Sequence, residues 1–527
     1  MLGVHGDVPQ PNRHPRANVR GRRRHDPNQV LPPIGSDDRL PAGPTNAPGL
    51  CHGRLAVAAR LPTVWQCAIP AHRRRSICAL SDMLPQHRGR TSDTLGWTPP
   101  PDGFALRQVT YILRHGERAP VRSRLETASP PIVEPWNLCH TSHEFDKAVL
   151  RFADDDCSKT IPSRASIQRR VEIAKLGSTS RPGAPGDCLL GELTDLGRES
   201  MLKIGLAIRR IYIDQLHLLP TTLRAKDGKY VYFRSTNIPR TKQSMDQVIT
   251  GLLGSPEDIP DALVPLVYVR NTGQEDMLPN SRPCPRLAQL LRKFSDEAAT
   301  LYNPELAKFD DQIAPHNAGK GARIDGHPRL SGLIDTARAA LAHGIPIPRP
   351  FLDENVVRPM EKAVVHEWFA GYQSKDPVER TQYRRLAMGE FLASLYDHMA
   401  QRVVGADERR LSVFLAHDAT LVGILQCLEC FNDKWPDFSA AISCELFDDE
   451  RASKTDTSED RAYVRCRYGD EVLQLPGCAP DKKHYPGHPE LCTLAAFREV
   501  VVDRLRDPAN VSREVECGLS LLPATTN

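Results

Sequence analysis

The sequence predicts an α/β protein: a mostly parallel sheet core flanked by helices, with an inserted, mainly helical cap subdomain. Three observations carry that expectation. Strand and helix signals alternate from about residue 104; three of the strand runs stop abruptly at a charged or imidazole side chain; and residues 287–400 are dominated by helical patterns.

In chain order, FALRQVTYIL, ending at Leu113, reads as the first strand. ELTDLGRESMLKIGLAIRRIYI reads as a helix with Thr194 as N-cap and Leu196, Met201, Ile204, Ile208 and Ile211 on one side. KYVYF at 229–233 is the next strand, and TKQSMDQVITGLLG is a helix stopped by a glycine. RLAQLLRKFSDEAATLY and RRLAMGEFLASLYDHMAQRVV are helices of the inserted region. RLSVFLAH at 410–417 is a third strand, followed by an apolar helix from Thr420. These signals divide the chain into a basic Pro/Arg-rich tail over 1–100, a domain over 101–510 with cap insertions at roughly 123–230 and 255–400, and a C-terminal tail over 511–527. DDERASKTDTSED at 448–460 reads as a charged surface loop.

Charge is unevenly spread. The first hundred residues hold 14 Arg, no Lys and 6 acidic residues, a net of +8, which leaves −4 for the rest of a chain whose total is +4. A basic, nucleic-acid-binding body is thereby disfavoured. No run approaches roughly 18 uninterrupted apolar residues, so no membrane-spanning helix is expected. Between Asp38 and Asp82 there is no acidic residue, and the Arg-, Ala-, Leu- and Ser-bearing stretch there has the composition of a mitochondrial transit peptide. A solvated basic tail, or an extension upstream of a later start such as Met83, accounts for it equally; a cytoplasmic location is the next expectation. Of the 14 cysteines, Cys427 and Cys430 form a lone CxxC inside an apolar helical pattern, read as packing rather than metal or redox use. Cys478 and Cys492 flank a loop and are candidates for a bridge.

The chemistry concentrates where apolar strands run into charge: Leu113 into Arg114-His115, Phe233 into Arg234, and Ala416 into His417-Asp418. Ligands of open α/β sheets sit outside the carboxyl ends of strands, so these junctions should converge. Arg114, Arg118 and Arg234 then supply planar, permanently charged donors suited to a phosphoryl group. His115 offers a neutral nitrogen nucleophile, Asp418 a proton for a poorly leaving alkoxide, and His417 a further donor to the phosphoryl oxygens. Gly116 is expected to let the backbone approach the phosphate. Arg240, six positions past the second junction, is expected to make a structural ion pair, and Glu117 to orient an arginine or face solvent.

The segment RHGERAP resembles the RHGxRxP signature of the histidine acid phosphatases, the large branch of the histidine phosphatase superfamily. ELTDLG, FRSTNIPRTKQS, LAMGEFL, FLAHDATL, SCELF, YVRCRYGDEVLQLPGC and LCTLAAF look like further family landmarks in family order, covering about 104–505. The resemblance implies a histidine phosphatase-like core with a helical cap and a phosphohistidine intermediate. It implies His115 as nucleophile, Asp418 as proton donor, and Arg114, Arg118, Arg234 and His417 as the phosphate pocket. The substrate is then a small phosphate monoester, with no cofactor and no metal, and no oligomeric state is assigned. RSTNI followed by an Arg, with MLPNSRPC, looks most like the lysophosphatidic acid phosphatases, which are mitochondrial in animals. Two alternatives stand beside a lysophospholipid: a phytase-type inositol phosphate with a pocket richer in Lys and Arg, and a non-catalytic phosphate-binding protein.

Overall fold

The computed structural model describes residues 97–141, 170–173, 181–254, 261–451, 461–506, 509 and 511–519. The leader over 1–96, most of the charged loop (452–460) and residues 520–527 lie outside them. Strand β1 (Phe104–Arg114) is central; a short ribbon of β2 (Glu172–Ile173) and β3 (Arg181–Pro182) stands apart from the main sheet. The sheet takes in β4 (Val231–Ser235), β5 (Val267–Val269), β6 (Leu411–Ala416), β7 (Ala441–Asp449) and β8 (Ala462–Tyr468), with the short β9 (Glu471–Val472), β10 (His484–Tyr485) and β11 (His488–Thr493). Its order is β10-β11-β8-β7-β1-β6-β4-β5, with β9 on β8. The central β1, β6 and β4 and the edge β5 pair in parallel, and everything from β7 outward is antiparallel. Every residue of β6 is buried, which is why LSVFLA carries little polar alternation.

Helix α1 (Asp195–Arg209) starts where its cap predicts, the Thr194 side chain accepting from the Gly197 amide. Met201, Ile204, Ile208 and Ile211 are buried, but Leu196 is 37% exposed. Leu196 precedes Met201 by five positions, which turns it about 100° from the centre of the apolar stripe at 3.6 residues per turn. Helix α2 (Pro239–Leu253) stops at Gly254, whose φ of 73° favours glycine. The two helices cross in close contact: a Cβ on Gly205 would lie 2.2 Å from the Val248 carbonyl oxygen. Both lie on one face of the sheet with Val109, Leu113, Phe233 and Val413. That corrects the first cap insertion, expected to reach residue 230, since α1 belongs to the sheet layer. The helix expected from Thr420 begins at Asp418 and is α7 (Asp418–Cys427) below.

The other face is covered by α6 (Glu390–Val403) and α7, both packed with Ile112, Phe414 and Cys444. A separate apolar cluster forms the cap: Ile132, Trp136 and Cys139 pack with the second half of α3 (Pro285–Leu306), with α4 (Leu330–Ala342) and with α5 (Glu354–Phe369). Leu287, Leu290 and Phe294 of α3 pack with the sheet cluster instead, so this helix bridges the two.

Among the described residues there are three disulfides: Cys139–Cys188, Cys284–Cys517 and the expected Cys478–Cys492. Cys427 is buried and unbridged, and burial pushes its thiol up to about 12, consistent with packing rather than redox use. Cys517 corrects the reading of residues from 511 as a tail. Besides its bridge, Arg513 pairs with Glu390 at 2.7 Å and Glu516 pairs with Arg385, so the described part of this segment docks on the domain. Because Cys284 and Cys517 are 233 positions apart, the bridge closes a long loop of the unfolded chain. Cys517→Ser is expected to remove about 2–5 kcal/mol of stability, read as a lower thermal midpoint; an unchanged midpoint contradicts this.

Candidate active site

Strand register builds the site. In the parallel pair β1 and β6, Arg114 lies opposite Ala416, so His115 and His417 leave the sheet side by side, with ring centroids 5.4 Å apart. The His115 amide donates to the Ala416 carbonyl and the Thr236 amide to the Leu415 carbonyl, extending the ladder into the loops. Asp418 then falls at the first position of α7, where its Oδ1 accepts from the Ala419 amide at 2.8 Å. The sequence-predicted Arg114, His115, Arg118, His417 and Asp418 are all buried at this end of the sheet.

Arg234 is not with them. It pairs with Phe414, which pairs with Ile112 of β1, so it stands two residues short of Arg114 along the strand direction, about 6.6 Å at the strand rise. Its Nη2 is held by Glu275 at 2.7 Å and Asp276 at 2.5 Å, in a buried cluster that Arg270 joins through Asp276. The expected pocket role of Arg234 is therefore replaced by a structural ion pair, and Arg240 shows the converse. Arg240 projects from the first turn of α2, is buried, and has no ion pair or hydrogen bond among the described residues. It is the leading charged neighbour lowering the pKa of both His115 and His417. The Nε atoms of Arg114, Arg118 and Arg240 are buried without hydrogen-bond partners among the described residues. Orphaned guanidinium donors grouped in this way form a receptor for an anion.

The imidazole of His115 is oriented by its Nδ1, 2.9 Å from the Gly116 carbonyl oxygen. That carbonyl can only accept, so Nδ1 carries the proton and Nε2 presents its lone pair. Burial, then Arg240 and Arg114, hold the His115 pKa well below the ordinary 6.5, so the ring stays neutral in acid. His417 is lowered by the same two leading causes, burial and Arg240; its Nε2 lies 3.0 Å from Thr236 Oγ1, so donation to an anion requires it to leave that hydroxyl. Burial, the largest single effect, pushes Asp418 up, but Arg114, whose Nη2 is 2.9 Å from Oδ2, acting together with His417 and the Ala419 amide, holds the carboxyl below the usual range.

Three further groups escaped the sequence reading. Asp335 of the cap helix α4 grips Arg118 with both oxygens, at 2.7 and 3.3 Å. The ring of Phe438 lies 4.2 Å from the Arg114 guanidinium and 5.5 Å from that of Arg118. Trp435 donates from Nε1 to Asp418 Oδ2 at 3.1 Å. Two first-motif residues also differ from expectation. A Cβ on Gly116 would lie 2.4 Å from the Gly197 carbonyl oxygen, so glycine is required there for loop-to-helix contact. Glu117 turns toward α1, its carbonyl accepting from the Thr194 amide and its carboxyl bonding Ser200.

Residues 105–469 match the family model described as histidine phosphatase superfamily (branch 2). A probable acid phosphatase of Schizosaccharomyces pombe is 31% identical over 441 residues, 76% of this chain and 92% of that protein. Human lysophosphatidic acid phosphatase type 6 is 26% identical over 359 residues, 65% of this chain and 74% of that protein. Among solved structures, an apo phytase of Hafnia alvei is similar at a TM-score of 0.47 and 15% identity, covering 79% of this chain and 100% of that one. The chain therefore belongs to branch 2 of the histidine phosphatase superfamily, and within it is an acid phosphatase.

Proposed function

We propose that the protein hydrolyses phosphate monoesters through a covalent phosphohistidine on His115, with a lysophospholipid as substrate. The single observation that carries the chemistry is the neutral, Nδ1-anchored His115 set among three arginines with unpartnered Nε donors. Nε2 attacks phosphorus while Arg114, Arg118 and Arg240 spread the charge of the equatorial oxygens. The bond to the leaving oxygen breaks, and Asp418 supplies that oxygen with a proton. In the second half, water attacks the phosphohistidine, Asp418 takes the proton from water, and inorganic phosphate departs.

Asp418 is ionised in the free protein, so its proton must arrive with substrate. A phosphate monoester in mild acid is a monoanion carrying one proton, since its second ionisation lies near pH 6. As its oxygens draw Arg114 away, Asp418 loses the cation that lowers its pKa and becomes able to relay that proton. Acid activity then has two sources: a nucleophile that does not protonate and a substrate that brings its own proton.

The choice of substrate rests on what surrounds the phosphate pocket. Two cap cations whose fields reach the site arginines are already answered by carboxylates: Arg338 pairs with Glu361, and Arg124 lies in the field of Asp335. Such a cap offers few free cations to the additional phosphates of an inositol polyphosphate. Beside Asp418, where the leaving group must lie, Trp435 packs with Trp368 and Phe369, an apolar wall suited to an acyl chain. Similarity to a lysophosphatidic acid phosphatase supports the same choice. Three disulfides favour an oxidising compartment over the cytoplasm; the mitochondrial reading rests on a leader outside the described residues.

Phosphate release from oleoyl lysophosphatidic acid is expected to exceed that from inositol hexakisphosphate, and to vanish in His115→Ala; preference for the inositol ester contradicts the substrate assignment. Arg240→Ala should lower kcat/KM on the order of a hundredfold with little change in stability, as loss of one oxyanion donor does. Arg234→Ala should instead cost about 3–5 kcal/mol in denaturant unfolding, because Glu275 and Asp276 lose their buried counter-ion. The reverse pattern would return Arg234 to the pocket. Since the His115 pKa is depressed, kcat/KM should not fall as pH drops through 6.5; an acid limb at that value contradicts a neutral, buried nucleophile.

A further inference from the structure

The segment 435–439, between α7 and β7, touches each reactive group from behind. Trp435 Nε1 donates to Asp418, the Pro436 carbonyl accepts from Arg114 Nη1 at 2.5 Å, and the Ser439 amide donates to the His115 carbonyl at 3.1 Å. The Phe438 ring lies 5.9 Å from that of His115 as well as under both arginines. On its far side, Trp435 belongs to the cap. Its ring packs against Trp368 and Phe369 at 5.6 and 5.4 Å, Arg338 lies 5.8 Å over it, and its amide donates to Glu361.

Resting on the phosphatase reading above, we propose that Trp435 is a positioning residue for the acid, its indole N–H fixing the Asp418 carboxyl and tying that orientation to the cap helices. Two donors meet Oδ2 of Asp418, and they differ in kind. Arg114 is charged, favours the ionised carboxylate, and is drawn to the phosphoryl group when substrate binds. The indole is neutral and donor-only, so it aligns the carboxyl without the electrostatic penalty a cation imposes on the protonated form. It also has no attraction to phosphate that competes with a guanidinium's, so it holds Asp418 in one orientation through both halves of the reaction. The cap ring stack fixes the indole plane in turn, as a supporting shell must for a site to hold its geometry.

Trp435→Phe keeps the ring stack and removes the N–H. Its kcat/KM, which covers only the steps through departure of the leaving group, should fall about tenfold on an alkyl ester such as glycerol phosphate, the scale of one hydrogen bond to a charged group. On 4-nitrophenyl phosphate, whose leaving group needs no proton, the change should be less than about twofold. Equal losses on both esters, or no loss on either, overturn the proposal while leaving the phosphatase reading intact. A wild-type protein that hydrolyses neither ester removes the reading beneath it. The hydrogen bond is read independently of that variant's folding in protein labelled with 15N at the indole nitrogens of its five tryptophans. Asp418→Asn should shift one indole N–H resonance well beyond the others, and five unmoved resonances overturn the proposal.

Discussion

The parallel register between β1 and β6 is the constraint on which the site depends. Opposing Arg114 to Ala416 puts His115 beside His417 and delivers Asp418 to the start of α7, within reach of Arg114. A slip of one residue would turn the side chains of a wholly buried strand to the opposite face, exchanging Phe414 with its neighbours in a packed core. The apolar content of β6 thus fixes the relative placement of His115 and Asp418, the proposed nucleophile and acid.

Concentrating guanidinium groups at that sheet end is electrostatically expensive, and the protein offsets the expense unevenly. Arg118 is answered by Asp335 and Arg114 by Asp418, and Phe438 offers both arginines the face of an aromatic ring. Arg240 makes no ion pair among the described residues, feels Asp418 and Asp335 only at longer range, and its own field falls on the two histidines. Burial first, and then the same positive charge that would meet an anion, favour the neutral form of His115. An additional carboxylate beside Arg240 would relieve repulsion among the arginines, but it would raise the His115 pKa and weaken the attraction for phosphate.

Much of this was legible in the sequence because it is local. An apolar run ending in Arg-His-Gly-Glu-Arg marks a strand end with a charged mouth, and Thr194 and Gly254 mark helix boundaries by their own backbone chemistry. The misplacement of Arg234 came from treating every arginine near a strand end as equivalent. Ser235, not Arg234, is the last residue of β4, and the level of a side chain along the sheet is set by pairing partners that one strand's sequence does not reveal. Arg240 was obscured because it reaches the site from a helix start rather than a strand end. Asp335 and Phe438 carry no local signal, since each meets its arginine across a long separation in the chain, and Trp435 reaches Asp418 from an irregular segment beyond the end of α7. The same holds for Cys517, whose bridge to Cys284 binds a segment that looks like a tail.

The proposed preference for an ester with one phosphate and an apolar body rests on paired charges in the cap and an aromatic cluster beside Asp418. The central chemical claim is the covalent step at His115, and rapid quenching with a 32P-labelled ester tests it most directly. Label should appear on the protein within one turnover, survive alkali, be lost in acid, map to the peptide containing His115, and be absent from His115→Ala. Label on any other residue, or steady turnover with no labelled protein at any quench time, would contradict a phosphohistidine intermediate.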